Sequence, residues 1–86
     1  MRVTYRGRVQ GVGFRWTTAR IASRFEVSGF VRNQLDGSVE LVAQGEPATM
    51  KSFLAEVAAA MRGNIESADV EELAVRDDLA GFRIAH

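Results

Sequence analysis

The stretch Gly7-Arg-Val-Gln-Gly-Val-Gly-Phe-Arg15 sets three glycines between a segment of strand-like alternation and an arginine that opens an apolar-periodic helix. Upstream, Val3, Tyr5, Gly7 and Val9 alternate with Arg2, Thr4, Arg6 and Arg8. That period of two predicts a strand with one buried face and one basic, wet face. Downstream, Phe14, Thr18, Ile21, Ala22 and Phe25 recur at helical spacing, so this segment should lay one side of a helix on a sheet. Between them, glycine lets consecutive backbone N–H groups turn inward, and the helix start adds unpaired donors and a positive dipole end. Arg15 brings a fixed charge with a forked donor geometry. Together these features make a cradle for a small anion. The competing reading is an ordinary tight turn followed by a surface arginine.

The larger glycine motifs do not fit. The lysine and hydroxyl residue that close a nucleotide P-loop are missing, and Gly11-Val-Gly13 lacks the third glycine of a dinucleotide fingerprint.

Beyond the first helix, Ser28 to Asn33 reads as a second strand, and Val39, Leu41 and Ala43 alternate in a third. Between these two, Leu35-Asp36-Gly37 carries an Asp-Gly pair that favours the positive φ angles of a tight hairpin, so they should pair antiparallel. Glu46-Pro47 starts a second helix, with proline suited to the first helical position, and Gly63 is a natural stop. Met50, Phe53, Leu54, Val57 and Met61 line one of its faces as a core stripe. Residues 66–76 form a weaker strand whose parity breaks between Val70 and Leu73, which suggests a bulge. Phe82 and Ile84 make a last short strand. The order β-α-β-β-α-β predicts an α+β, ferredoxin-like sandwich: a four-stranded antiparallel sheet with two helices on one face, residues 1–86 forming one domain.

With 86 residues and 47% hydrophobic content, the chain can bury one modest core. No apolar run approaches the ~18 residues of a membrane span, and Met1-Arg2-Val3 leads directly into strand alternation, so a cytoplasmic protein with no membrane partner is expected, with a monomer as the default state. Cysteine is absent, which removes disulfides and thiolate nucleophiles. Net charge is zero but unevenly spread: residues 1–33 hold seven arginines and one acid, whereas residues 34–86 hold four basic and ten acidic side chains. Such an asymmetry could focus anions on the amino-terminal half, although scattered surface arginines ordinarily serve solubility.

In a ferredoxin-like topology the first and second strands run parallel with the third between them, so Asn33 is the polar residue best placed to face the cradle. Its carboxamide can accept from and donate to one water molecule, holding it for attack on a bound phosphorus. The alternative is an asparagine that simply starts the hairpin turn. No cofactor is expected: the only histidine is His86, and no cluster of metal-ligand residues lies near the loop.

The segment Val3-Thr-Tyr-Arg-Gly-Arg-Val-Gln-Gly-Val-Gly-Phe-Arg15 resembles the first signature of the acylphosphatase family, and Gly29-Phe-Val-Arg-Asn-Gln-Leu-Asp-Gly-Ser-Val-Glu-Leu-Val-Ala-Gln-Gly45 resembles its second. By that resemblance Arg15 matches the family's phosphate-binding catalytic arginine and Asn33 the asparagine that orients the nucleophilic water. The loop Gln10, Gly11, Val12, Gly13 and Phe14 then supplies backbone N–H donors to phosphate oxygens. The implied reaction is hydrolysis of small acyl phosphates, with inorganic phosphate as product and competitive inhibitor. An acyl phosphate leaves as a carboxylate, already stable at neutral pH, so positioning and charge suffice and neither metal nor general acid is required.

Three positions depart from the family pattern. Glu26 stands where many members carry a glycine after the first helix, so a left-handed cap should be absent or strained there. Phe30 replaces the commoner tryptophan, keeping an aromatic anchor. The chain closes on Arg83-Ile-Ala-His86, whereas in some relatives a terminal carboxylate pairs with the catalytic arginine.

Other functions compete. A similar domain fused to hydrogenase-maturing carbamoyltransferases would handle carbamoyl phosphate, and an anion sensor would keep the cradle without turnover. An RNA-recognition module shares the element order, but it needs solvent-facing aromatics on its central strands. The third strand offers Glu40, Val42 and Gln44 on the face opposite its apolar set, so no nucleic-acid partner is expected.

Overall fold

The computed structural model describes residues 1–86, as β1 (Arg2–Gly7), α1 (Phe14–Ala22), β2 (Ser28–Asn33), β3 (Val39–Gln44), α2 (Pro47–Ala60), β4 (Ile65–Glu71) and β5 (Phe82–Ala85). The strands form one sheet in the order β4-β1-β3-β2-β5. β1 is antiparallel to β3 and β4, and β2 is antiparallel to β3. The expected sheet of four antiparallel strands is therefore corrected to five strands, because β5 pairs with β2 and runs parallel to it. β4 occupies the far edge beside β1, so the chain must cross to the other edge after Glu71. There the Gly29 amide donates to the Gly81 carbonyl at 2.9 Å, at the start of the parallel ladder.

The alternating apolar residues of the strands face the helices. Val3, Tyr5, Val31, Val39, Leu41 and Ala43 pack with Phe14, Ile21 and Ala22 of α1 and with Met50, Phe53 and Val57 of α2. Phe53 lies at the centre, edge-on to Phe25 at 5.9 Å and to Phe82 at 6.0 Å between ring centroids. On the opposite face of the sheet the Glu40 carboxylate is buried between Arg32, at 2.6 Å, and Arg2, at 3.1 Å. The Arg2 contact is an ion pair whose angle falls outside that of a hydrogen bond. Phe30 sits on this same face, paired with Val42 and with the guanidinium groups of Arg32 and Arg83 each 5.8 Å from its ring centroid. The aromatic on that face comes from β2, where alternation along the third strand alone did not reveal it.

Local expectations fare unevenly. Pro47 does open α2, with the Met50 amide closing the first turn on the Glu46 carbonyl at 2.9 Å. The helix stops before Gly63, which is not in a left-handed conformation. Met61 terminates it, and its carbonyl takes the amides of Asn64 and Ile65. Glu26 is not left-handed either, since no residue other than glycine has positive φ. α1 instead ends through Ser23, whose hydroxyl donates to the Arg20 carbonyl at 2.6 Å. The parity break after Val70 marks the end of β4 at Glu71 rather than a bulge within it. Beyond it the Gln44 side chain holds the Arg76 backbone through both its amide oxygen and its amide nitrogen. The register shift of β4 lies at its other end, opposite Arg6 and Gly7. In the hairpin only Gly37 takes positive φ, at 92°. Asp36 contributes through its carboxylate, which accepts from the Ser38 amide at 3.0 Å.

Candidate active site

The pairing register brings the two signatures together. Tyr5 and Asn33 both stand opposite Val39, one on each side of β3, so the loop leaving β1 and the end of β2 emerge at the same end of the sheet. β5 extends this convergence. Ala85 pairs alongside Arg32, which sets His86 beside Asn33. A cavity of about 270 Å³ opens here, lined by Val9, Gly11, Gly13, Phe14, Arg15, Trp16, Asn33, Ile84 and His86.

The loop is built as a nest of donors. Gly11 and Gly13 adopt left-handed φ of 74° and 79° around Val12, which does not, and this alternation curls successive N–H groups toward one concave side. From Gly11 to Trp16 no backbone N–H donates to another protein atom; the first to do so is Thr17, to the Gly13 carbonyl at 2.9 Å. These are the orphan donors that a helix N-terminus leaves, concentrated by the glycines before it. The start of α1 is pinned by Phe14, which is buried with its ring 4.9 Å from that of Tyr5. Burial pushes the Tyr5 phenol up to about 12.

Gln10 does not line the cavity. Its side-chain amide nitrogen donates to the carbonyls of Gln34, at 2.7 Å, and Ser38, at 2.8 Å, and so ties the loop to the hairpin that follows Asn33. Val12 likewise turns its side chain outward.

Arg15 Nη1 donates to the Ala85 carbonyl at 3.2 Å and lies 3.3 Å from His86 Nδ1. No carboxylate pairs with it, in contrast to most of its neighbours in sequence. Arg2, Arg6, Arg24 and Arg32 are matched by Glu40, Glu71, Asp36, Asp69 and Glu56. The charge asymmetry of the two halves is thus largely neutralised on folding, leaving Arg8, Arg15 and Arg20 without an acid. The Asn33 carboxamide makes no hydrogen bond within the protein and faces the same cavity. Trp16, Ile84 and His86 were not anticipated as lining residues. Trp16 had left a signal, as a large aromatic lying off the apolar stripe of its helix, whereas Ile84 and His86 arrive only through the parallel pairing of β5. No group of three or more His, Cys, Asp or Glu side chains is arranged to hold a metal ion.

Comparison with known proteins decides the family. A family model described as Acylphosphatase matches residues 1–84. The chain belongs to the acylphosphatase family. An acylphosphatase of Lacticaseibacillus paracasei is 40% identical over 84 residues, covering 95% of this chain and 90% of that one. The crystal structure of acylphosphatase from Bacillus subtilis matches with a TM-score of 0.86 at 30% identity, over 99% of this chain and 96% of that one. The crystal structure of T. kodakarensis HypF matches with a TM-score of 0.84, but at 24% identity and over 11% of its length, which is a likeness of fold alone. Acylphosphatase activity, expected from the two signatures, is supported by family, relatives and fold alike, and no helix is long and apolar enough to cross a membrane.

Proposed function

We propose that residues 1–86 act as one acylphosphatase unit that cleaves the carboxyl-phosphate bond of small acyl phosphates without a metal ion, using Arg15 and Asn33. The observation that carries this reading is the meeting at one cavity of free Gly11–Trp16 amides, an arginine bonded to the Ala85 carbonyl but with no carboxylate to neutralise it, and a carboxamide without a partner. The amides of the phosphate-binding loop and the Arg15 fork take the phosphoryl oxygens, and Asn33 holds a water in line with the bond to be broken. That water attacks phosphorus, the P–O bond to the acyl group breaks with its electron pair leaving on the carboxylate, and the water's proton passes to the phosphate. Inorganic phosphate is then both product and competitive inhibitor. The simplest setting for this chemistry is a monomer in the cytoplasm.

Steady-state hydrolysis of benzoyl phosphate in the presence of a chelator tests the reading, with Asn33→Ala for comparison. The expected result is chelator-resistant turnover that collapses in the variant while inorganic phosphate still inhibits. Absence of turnover by the folded, phosphate-binding protein would overturn it and leave an anion-binding module or a carbamoyl-phosphate-handling domain.

A further inference from the structure

We infer that Trp16 is the acyl-group platform of this cavity and makes acyl phosphates with a planar aromatic acyl group the favoured substrates, an inference that rests on the acyl phosphate chemistry proposed above. The helix exposes this residue in a way packing does not explain. α1 buries Phe14, Thr18, Ile21 and Ala22 on the sheet, while Trp16, two positions after Phe14, projects off that stripe and leaves 60% of its surface accessible. An indole has a large apolar area, and leaving it wet forgoes the stabilisation its burial would bring. Yet Trp16 lines the same cavity as Arg15 and the glycine nest, one residue from the charge that would take the phosphoryl group.

The indole is also held in place. Arg20, one helical turn on, lies over the ring with its guanidinium carbon 5.2 Å from the centroid, so the side chain is restrained before any ligand arrives. Val9, Phe14 and Ile84 supply the remaining apolar lining. The phosphoryl end of a substrate would meet the amides and Arg15, and its acyl end would lie against an aromatic surface. An acetyl group is too small to use that surface, whereas a flat aromatic acyl group can stack on it.

The chain contains a single tryptophan, so its fluorescence reports on this position alone. Two non-hydrolysable phosphonates, in which a methylene replaces the bridging oxygen, separate the acyl contribution from the phosphoryl one. Phenacylphosphonate should shift the Trp16 emission and bind about tenfold more tightly than acetonylphosphonate. In parallel, the ratio of kcat/KM for benzoyl phosphate to that for acetyl phosphate should fall about tenfold in Trp16→Ala and be largely kept in Trp16→Phe. Equal affinity for the two phosphonates, or an unchanged ratio in Trp16→Ala, would overturn the inference. The binding arm needs no turnover: an inactive protein that still prefers phenacylphosphonate would sink the hydrolytic mechanism and leave the aromatic subsite standing.

Discussion

The side-chain amide nitrogen of Gln10 donates to the main-chain carbonyl of Gln34 at 2.7 Å, and so joins the glycine loop before α1 to the residue that follows Asn33. Both of its acceptors, the second being the Ser38 carbonyl at 2.8 Å, belong to the hairpin between β2 and β3. Through this bond the part of the site that would hold phosphate and the part that would hold water share one support. Replacing Gln10 by methionine keeps similar length and removes one donor from each carbonyl, while the Gly37 amide still donates to Gln34 at 3.1 Å and the Gln34 amide to Ser38 at 2.9 Å, so the loss should cost only about 0.5–1.5 kcal/mol per bond. It should also loosen the spacing between loop and Asn33, lowering kcat by roughly tenfold or more. Denaturant unfolding and steady-state kinetics on the same variant check both effects, and an unchanged kcat would refute the link.

Arg15 and Asn33 should fail differently. On the proposed mechanism, Arg15→Ala removes the forked charge both from the bound phosphate and from the transition state, so KM should rise and kcat fall together. Asn33→Ala should lower kcat by roughly 10²-fold while inorganic phosphate continues to compete. Inhibition constants for phosphate in the two variants separate these outcomes.

The ion cluster beneath the sheet should respond asymmetrically. Glu40 is buried, but Arg2 and Arg32 are nearly half exposed and can turn into water once the acid is gone. Glu40→Gln should therefore cost only about 1–2 kcal/mol. Replacing both arginines by alanine strands a buried carboxylate and should cost about 3–5 kcal/mol. Urea unfolding of the two proteins provides the comparison, and a larger loss from Glu40→Gln would contradict this account.

Two glycines should separate strain from function. A methyl group on Gly29 would run into the Val42 carbonyl and come within 2.8 Å of the Ala43 Cα, and its φ of 151° is one that side chains resist, so Gly29→Ala should cost more than about 3 kcal/mol. At Gly11 a methyl would meet nothing, so only the left-handed φ of 74° is opposed, at about 1–2 kcal/mol. The Gly11 variant should fold and bind phosphate poorly, which calorimetric titration with phosphate would detect.

Tyr5 should govern alkaline stability. Its folded pKa of about 12 lies above the ordinary value of 10.0, so its contribution is fully present below pH 10 and is lost as pH rises from there through 12. The loss should approach roughly 2–3 kcal/mol. Stability of Tyr5→Phe should be flatter over that window, and parallel curves for the two proteins would exclude Tyr5 as the source.

The elements were legible because each rests on a local period: alternation in Val3 to Val9, helical spacing from Phe14 to Phe25, and the proline that opens α2. The positions of the two residues proposed to act, Arg15 and Asn33, were legible for a related reason, since the glycines before Arg15 and the Asp-Gly turn after Asn33 are demands of backbone geometry that few other residues meet. Where local rules competed they misled. Gly63 has the composition of a helix stop, but hydrogen bonds to the Met61 carbonyl close the turn without a left-handed residue.

What the sequence by itself determined is the order of helices and strands, the apolar faces, and the placing of Gly11, Gly13, Arg15 and Asn33 at the ends of their elements, because these follow from neighbours a few residues apart. Only the tertiary structure decided that β5 pairs parallel to β2 and so delivers Ala85 and His86 to Arg15. It alone settled that four of the amino-terminal arginines are matched by distant acids while Arg15 is not, that Gln10 reaches the hairpin, and that Trp16 opens onto the cavity. Each of these depends on which segments meet across the sheet, and that choice is made by the packing of the whole core around Phe53 rather than by any local spacing.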